Sequence, residues 1–169
     1  MKSVLIVIIG FIALLSFVVA VLIGLMIIFE YPGGMSSSYR ASNHDRRLTS
    51  IALEAAPIIE SIDRYYRVHG HCPQATESDL AELREGLPES LYADFRSDKI
   101  EFRASGAPAG WTYYSSIKKL TACELSRKLG WDPALVWLRR GDTSSWVFVP
   151  GDGSKDKVID LDVGHSSPR

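Results

Sequence analysis

The start of the chain differs from the rest in its hydrophobic pattern, because an uninterrupted apolar run precedes segments in which apolar and polar positions alternate. No charged residue occurs from Val4 to Phe29. As a helix, this run would extend about 39 Å, which exceeds the roughly 30 Å of a hydrocarbon core. The pattern predicts a transmembrane helix over residues 4–29, after an N-terminal cap at residues 1–3.

A cleaved secretory signal begins in a similar way, with a basic residue such as Lys2 before an apolar run. The run here is longer than the apolar region of a signal peptide. In addition, the bulky residues from Met26 to Phe29 occupy the place where cleavage needs small ones. We therefore expect an uncleaved signal anchor and a single-pass membrane protein.

The polar segment after the apolar run is rich in residues that resist a continuous helix. It contains Pro32-Gly33-Gly34 and Ser36-Ser37-Ser38. We interpret residues 30–43 as a flexible linker, residues 44–163 as a soluble domain and residues 164–169 as a disordered tail. A domain of this length can bury a single hydrophobic core.

An amphipathic helix is predicted from Leu48 towards Pro73, with apolar residues at alternating spacings of three and four. These residues are Leu48, Ile51, Ala52, Ala55, Ile58, Ile59, Ile62, Tyr65 and Tyr66. Pro57 lacks a backbone donor, so we expect a kink or a new helix there. Gly70 suits a left-handed C-terminal cap, and Pro73 prevents continuation. A shorter helix capped by Thr76 follows.

From Lys99 onward the hydrophobic period changes to two, which is typical of strands that bury one face. The predicted strands cover residues 100–104, 111–115, 123–129, 134–139, 145–149 and 158–163. Short connections such as Arg140-Gly141-Asp142 indicate an antiparallel meander. We expect an α+β fold in which the long amphipathic helix covers the apolar face of a small antiparallel sheet.

The composition and motifs of the chain argue against several classes of function. The chain of 169 residues has a net charge of −1, so it lacks the basic excess that nucleic-acid binding requires. The aromatic residues of the strands are interpreted as core, with Trp131 packed over the sheet edge. The sequence contains no Gly-x-Ser-x-Gly, phosphate-loop or His-Glu-x-x-His motif. We expect neither an enzyme nor a cofactor.

Cys72 and Cys123 are the only cysteines of the chain. They are either reduced thiols buried as small apolar side chains, or a disulfide that closes a loop of about 50 residues and contributes about 4 kcal/mol. A disulfide requires an oxidising compartment, whereas the basic residues after the apolar run slightly favour a cytoplasmic domain. We give the cysteines more weight and expect a periplasmic domain.

Three side chains of metal-ligand type lie together at the end of the long helix. They are His69, His71 and Cys72. No second close pair of ligands follows, so no metal site is predicted there. Near the C-terminus, Asp152, Asp156 and Asp160 are candidate calcium ligands. Nearby lysines dilute their charge, and a plain turn before the last strand is the competing interpretation.

The end of the long helix carries a recognisable run, in which Tyr65 and Tyr66 precede Gly70 and Pro73. Together with the N-terminal apolar segment, a short Leu-rich helix and a small meander, it resembles type IV pilins and the major pseudopilins of type II secretion. The resemblance implies a pilin-like fold, a place in the bacterial inner membrane, protein partners in the cell envelope and no catalysis. It also implies calcium in a C-terminal loop.

The N-terminus departs from the prepilin pattern. Prepilins carry a charged leader that ends in Gly before an aromatic residue, with Glu five positions into the mature chain. Gly10-Phe11 supplies the pair, but an apolar leader precedes it, and Leu15 stands in place of the Glu. We expect a membrane-anchored, non-catalytic envelope protein that resembles a pseudopilin. The alternative is a stand-alone tethered binding, inhibitor or immunity module that does not assemble into a filament.

Overall fold

The computed structural model describes residues 14–22, 35, 39–104, 110–114 and 122–163. The chain divides into two units, Met1–Gly33 and Gly34–Arg169. In the first unit, residues 14–22 are α-helical and are called α1. Within the described residues, no helix combines the length and apolar content that a membrane crossing requires. The predicted transmembrane helix covers residues 4–29, and its other residues, 4–13 and 23–29, lie outside the described residues.

Three further helices are described in the second unit. They are α2 (Arg46–Glu54), α3 (Ala56–His69) and α4 (Glu77–Arg84). Asp45 caps α2, because its carboxylate accepts hydrogen bonds from the backbone N–H groups of Arg47 and Leu48. Burial alone raises the pKa of Asp45, but these bonds and one from the Tyr39 hydroxyl outweigh it and hold the pKa below its usual value. The cap is therefore a carboxylate at the positive end of the helix dipole.

The predicted restart at Pro57 is confirmed, since α2 ends at Glu54 and Pro57 lies in the first turn of α3. A proline costs no hydrogen bond in the first turn, where the N–H groups have no partner within the helix. The predicted cap at Gly70 is also confirmed by a left-handed φ of 73°. Thr76 caps α4 as expected, and its side chain accepts from the N–H of Asp79.

Among the described residues, seven antiparallel strands form one sheet in which each strand pairs with the next along the chain. They are β1 (Leu91–Arg96), β2 (Lys99–Ala104), β3 (Trp111–Tyr114), β4 (Ala122–Lys128), β5 (Ala134–Arg140), β6 (Thr143–Val149) and β7 (Lys157–Ile159). The predicted positions of β2 to β6 agree with the structure. β1 was not predicted, and β7 covers only the first part of the predicted last strand.

One face of the sheet, here called the inner face, forms the core together with the helices. Cross-strand pairing aligns large buried residues, such as Phe102 with Trp111 and Leu125 with Trp137. Ile58 and Ile62 of α3 belong to the same buried cluster. Trp131 is an exception to the predicted aromatic core. Its side chain is 73% exposed in the turn between β4 and β5, not packed over the sheet edge.

The predicted fold class, a transmembrane helix followed by a pilin-like domain, is wrong for the residues that the structure describes. The structure has four described helices, none of them a membrane-span candidate, and a seven-stranded antiparallel sheet. The predicted long amphipathic segment is two helices, as the proline allows, since α2 ends at Glu54 and α3 begins at Ala56. The sheet is also larger than a small meander, since it gains β1 at one edge and β7 at the other.

The described part of the predicted linker, residues 30–43, belongs to the folded unit. Met35 and Ala41 are buried, and Tyr39 packs against the core. The Met35 N–H donates to the Leu129 carbonyl over 2.6 Å. The folded unit therefore extends to residues before position 44, the start expected from sequence.

Two contacts join the chain after α3 to the middle of the sheet. Cys72 and Cys123 form a disulfide, with their Cα atoms 5.5 Å apart. The hydroxyl of Tyr113 donates to the carbonyl of Pro73 over 2.7 Å in the buried interior. Burial raises the pKa of Tyr113 far above its ordinary value, so the hydroxyl keeps its proton and remains a donor. The end of α3 is thus held to β3 and β4.

Replacing Tyr113 with Phe is expected to lower the free energy of unfolding by about 1–3 kcal/mol, because it leaves the buried Pro73 carbonyl without a donor. Urea denaturation of the oxidised protein measures the change. Tyr114→Phe is the matched control. The neighbouring side chain is exposed, so its change should stay within about 0.5 kcal/mol. Equal effects at the two positions would contradict the role given to the buried bond.

Candidate functional site

A groove lies between helices α2 and α3 and the β5 to β7 part of the inner face. Its volume is about 1100 Å³. The lining side chains come from the helices (Ala52, Ala56, Ile59, Asp63, Arg67), from the strands (Trp137, Arg139, Ser144, Trp146, Ile159) and from the segment after β7 (Asp160, Leu161, Val163). The groove is called the β5–β7 groove below.

The floor of the β5–β7 groove is apolar. Trp137 pairs in register with Trp146, and Trp146 pairs with Ile159, so three large side chains lie side by side on one face. The helix wall above this floor carries the small side chains of Ala52 and Ala56. Because alanine reaches little beyond the helix backbone, the groove keeps its volume between wall and floor. The three side chains of the floor are 3–7% exposed, so an occupant of the groove would contact only their edges.

One end of the groove is charged. The Arg139 guanidinium donates to the Asp63 carboxylate over 2.6 Å, and it stacks over the Tyr66 ring with its carbon 4.3 Å from the ring centroid. The side chain of Arg139 is 14% exposed and that of Asp63 is 25% exposed. The Nε of Arg139 is buried and has no hydrogen-bond acceptor among the described residues. Arg67 and Asp142 also line the groove, so the lining carries both signs of charge.

A second, smaller cleft of about 290 Å³ lies where α2 meets α3, on the side of β1 to β4. Leu53, Pro57, Phe102 and Trp111 contribute most of its apolar lining. The Nε1 of Trp111 is buried, and it has no acceptor among the described residues. Arg127 pairs with Glu54 and lies over the Trp111 ring, so the charges at this cleft balance each other.

The run that resembles the pilin pattern makes contacts within the folded unit. It consists of Tyr65, Tyr66, Gly70 and Pro73. Tyr65 is buried and stacks on His69 with 4.2 Å between ring centroids. Tyr66 stacks with the Arg139 guanidinium, which brings one residue of the run to the groove. Gly70 caps α3, and the Pro73 carbonyl accepts the bond from the buried tyrosine of β3.

The two histidines near the end of α3 lie within hydrogen-bond distance of a carboxylate and of a backbone carbonyl. His69 Nε2 lies 3.0 Å from both carboxylate oxygens of Glu82, and His71 Nδ1 lies 3.0 Å from the Cys72 carbonyl oxygen. In the part of the chain that the structure describes, no cluster of three or more His, Cys, Asp and Glu side chains is arranged to hold a metal ion.

The three aspartates named as calcium candidates have different surroundings. Asp152 accepts hydrogen bonds from the backbone and the side chain of Ser154, and these bonds lower its pKa. The N–H of Asp160 donates to the Asn43 side chain, and its carboxylate lies 3.9 Å from His44. Asp156 is exposed. The structure therefore gives Asp152 and Asp160 separate partners.

The charged pair of the β5–β7 groove was not predicted from sequence, although β5 carries a signal for it. Leu135, Trp137 and Arg139 occupy alternate positions and face the same side of the sheet. An arginine at the third inward position is unusual, because buried arginines need a charged partner. Its partner Asp63 lies 76 residues earlier in the chain, so only the tertiary structure identifies it.

The likeness to pseudopilins rests on a short run at the end of a helix, and it stays a prediction. No protein-family model, no curated protein and no solved structure matches the chain.

Proposed function

We propose that the protein is a non-catalytic, membrane-tethered binding module of the cell envelope, and that it binds a protein partner in the β5–β7 groove. The uncharged run from Val4 to Phe29 holds it at the membrane. The folded unit acts outside the cytoplasm. The observation that carries the proposal is the groove itself, with an apolar floor between two helices and three strands and a charged pair at one end.

The composition of the groove lining supports a polypeptide as its occupant. The lining combines tryptophan and arginine, the side chains that dominate protein interfaces. A partner segment with apolar side chains over Trp137 and Trp146 and polar groups towards Arg139 fits this chemistry.

The contacts of the usual catalytic side chains support a non-catalytic role. Both cysteines are consumed in the disulfide, so neither is available as a nucleophile. Each described histidine lies within hydrogen-bond distance of a carboxylate or a backbone carbonyl, as His44 does with Asp162. A histidine that activates a nucleophile contacts a hydroxyl or thiol in addition to any such orienting group, and the hydrogen-bond partners of these three described histidines are only carboxylates and a carbonyl.

Of the two functions that the sequence suggests, the stand-alone tethered module agrees better with the folded unit. A pseudopilin packs into a filament through a continuous N-terminal helix, whereas in the present domain Met35 and Ala41 are buried ahead of α2. Filament assembly as a type II secretion pseudopilin remains a prediction from the helix-ending run. The groove provides no specific support for it.

Site-specific photocrosslinking in living cells tests the proposal. A photoreactive amino acid at Ser144 lines the groove, whereas one at Glu124 lies on the opposite face of the sheet, and both positions are exposed. The full-length chain is expected to form a discrete adduct with one protein from position 144 only. Filling the groove by Ala56→Phe should abolish that adduct. Equal adducts from both faces, or an adduct unaffected by Ala56→Phe, would refute groove binding.

A further inference from the structure

Trp131 is the most exposed of the large apolar side chains that the structure describes. It lies in the turn between β4 and β5, after Gly130 and before Asp132-Pro133. The turn itself needs glycine and proline rather than tryptophan. An exposed indole places a large apolar surface in water, which costs free energy unless another surface covers it.

The turn that carries Trp131 lies where the chain enters the folded unit. The Met35 N–H donates to the Leu129 carbonyl over 2.6 Å, and Met35 is buried in the core. The Met35 carbonyl approaches Gly130 so closely that a side chain at that position would collide with it. The position of Met35 is therefore fixed against this turn.

Only five residues, 30–34, separate the uncharged run from Met35. Even a fully extended chain spans at most about 3.5 Å per residue, so Met35 lies within about 21 Å of Phe29. A bilayer has polar layers that add about 5–8 Å on each side of its hydrocarbon core. If the run from Val4 to Phe29 lies in the membrane, the turn is within reach of the lipid headgroups.

We propose that the β4–β5 turn rests on the membrane that anchors the chain, with Trp131 in the headgroup interface. Tryptophan is enriched at membrane interfaces, because its ring is apolar and its N–H finds polar partners there. Charges of both signs surround the turn. Lys128 and Arg40 are basic, whereas Asp132 and Asp152 are acidic. The indole, rather than a net charge at the turn, therefore makes the contact with the membrane. Zwitterionic lipid is sufficient for this contact.

This inference rests on the membrane tethering of the proposed function, but it is tested separately. All four tryptophans lie in the folded unit, and the other three, Trp111, Trp137 and Trp146, are buried. The full-length chain is reconstituted into phosphatidylcholine vesicles whose acyl chains carry bromine close to the headgroup. Bromine quenches only indoles within a few ångströms, so fluorescence reports on contact between Trp131 and lipid.

Brominated lipid is expected to quench part of the wild-type emission and none of the emission of Trp131→Phe. The substitution should leave the urea midpoint of unfolding unchanged, since the side chain is exposed. Equal quenching of both proteins, or of neither, would overturn the proposed contact. Flotation of the vesicles tests the anchor itself. A chain that floats without quenching refutes only the Trp131 contact, whereas a chain that does not float refutes the tethering.

Discussion

Loss of the disulfide is expected to lower the free energy of unfolding by about 4 kcal/mol, the largest effect of any change considered. Cys72 and Cys123 are 51 residues apart in the sequence, so the bond removes much of the conformational freedom of the unfolded chain. The variant Cys72→Ala with Cys123→Ala keeps both sites apolar. Urea denaturation of the variant and of the oxidised wild type gives the difference directly.

Reduced wild-type protein is the matched control for this prediction. Under reducing conditions the wild type should fall to nearly the stability of the double alanine variant, because the two then share the same open loop. A loss below about 1 kcal/mol on removing both cysteines would contradict the view that the bond stabilises the domain by restricting its unfolded state.

Replacing Asp63 with Ala is expected to destabilise the protein by about 3 kcal/mol, because the largely buried guanidinium of Arg139 would lose its carboxylate partner. This loss of stability lies at the lower end of the range for breaking a buried ion pair, since Asp63 is 25% exposed and water reaches it. Arg139→Met should cost less. It retains much of the side-chain volume, removes the buried charge and leaves a carboxylate that water can solvate.

An exposed ion pair provides the comparison. Arg84 and Asp94 are 4.0 Å apart with both side chains largely exposed, so Asp94→Ala should change the free energy of unfolding by less than about 1 kcal/mol. The variant with Asp63→Ala and Arg139→Met together should be more stable than Asp63→Ala alone. Equal losses from Asp63→Ala and Asp94→Ala would show that burial does not strengthen the groove pair.

The helix boundaries were predictable because short-range chemistry determines them. Pro57 allows a helix to begin but not to continue, and Gly70 adopts a left-handed cap that other residues resist. Thr76 supplies an oxygen to a nearby backbone N–H. Each of these effects involves residues a few positions apart, so the sequence alone contains the information.

The extent of the sheet was harder to predict. β1 alternates Leu91, Ala93 and Phe95 with polar residues, but it follows a proline-containing turn and lies at the sheet edge. The hairpin after it turns at Ser97, which has a positive φ of 56° without being glycine or asparagine. The glycine or asparagine that usually marks a hairpin is thus missing, so β1 was not predicted.

The β5–β7 groove was not predictable from local pattern, because it depends on how far the helices extend across a seven-stranded sheet. The inward-facing Arg139 was its only local signal, and Asp63, which explains it, lies on another element. The exposure of Trp131 likewise follows from tertiary structure. Sequence reasoning assigns a lone tryptophan to the core by default, whereas the turn directs this one outwards.

Both the groove proposal and the membrane contact require the disulfide-bonded domain to lie on the oxidising side of a membrane. Thiol labelling of whole cells tests this claim most directly, because both cysteines are buried in the fold. Cells are denatured in the presence of an alkylating reagent of high mass, with or without prior reduction. We predict that neither Cys72 nor Cys123 is labelled until the protein is reduced, and that both are labelled afterwards. Labelling of both cysteines without reductant would contradict the account.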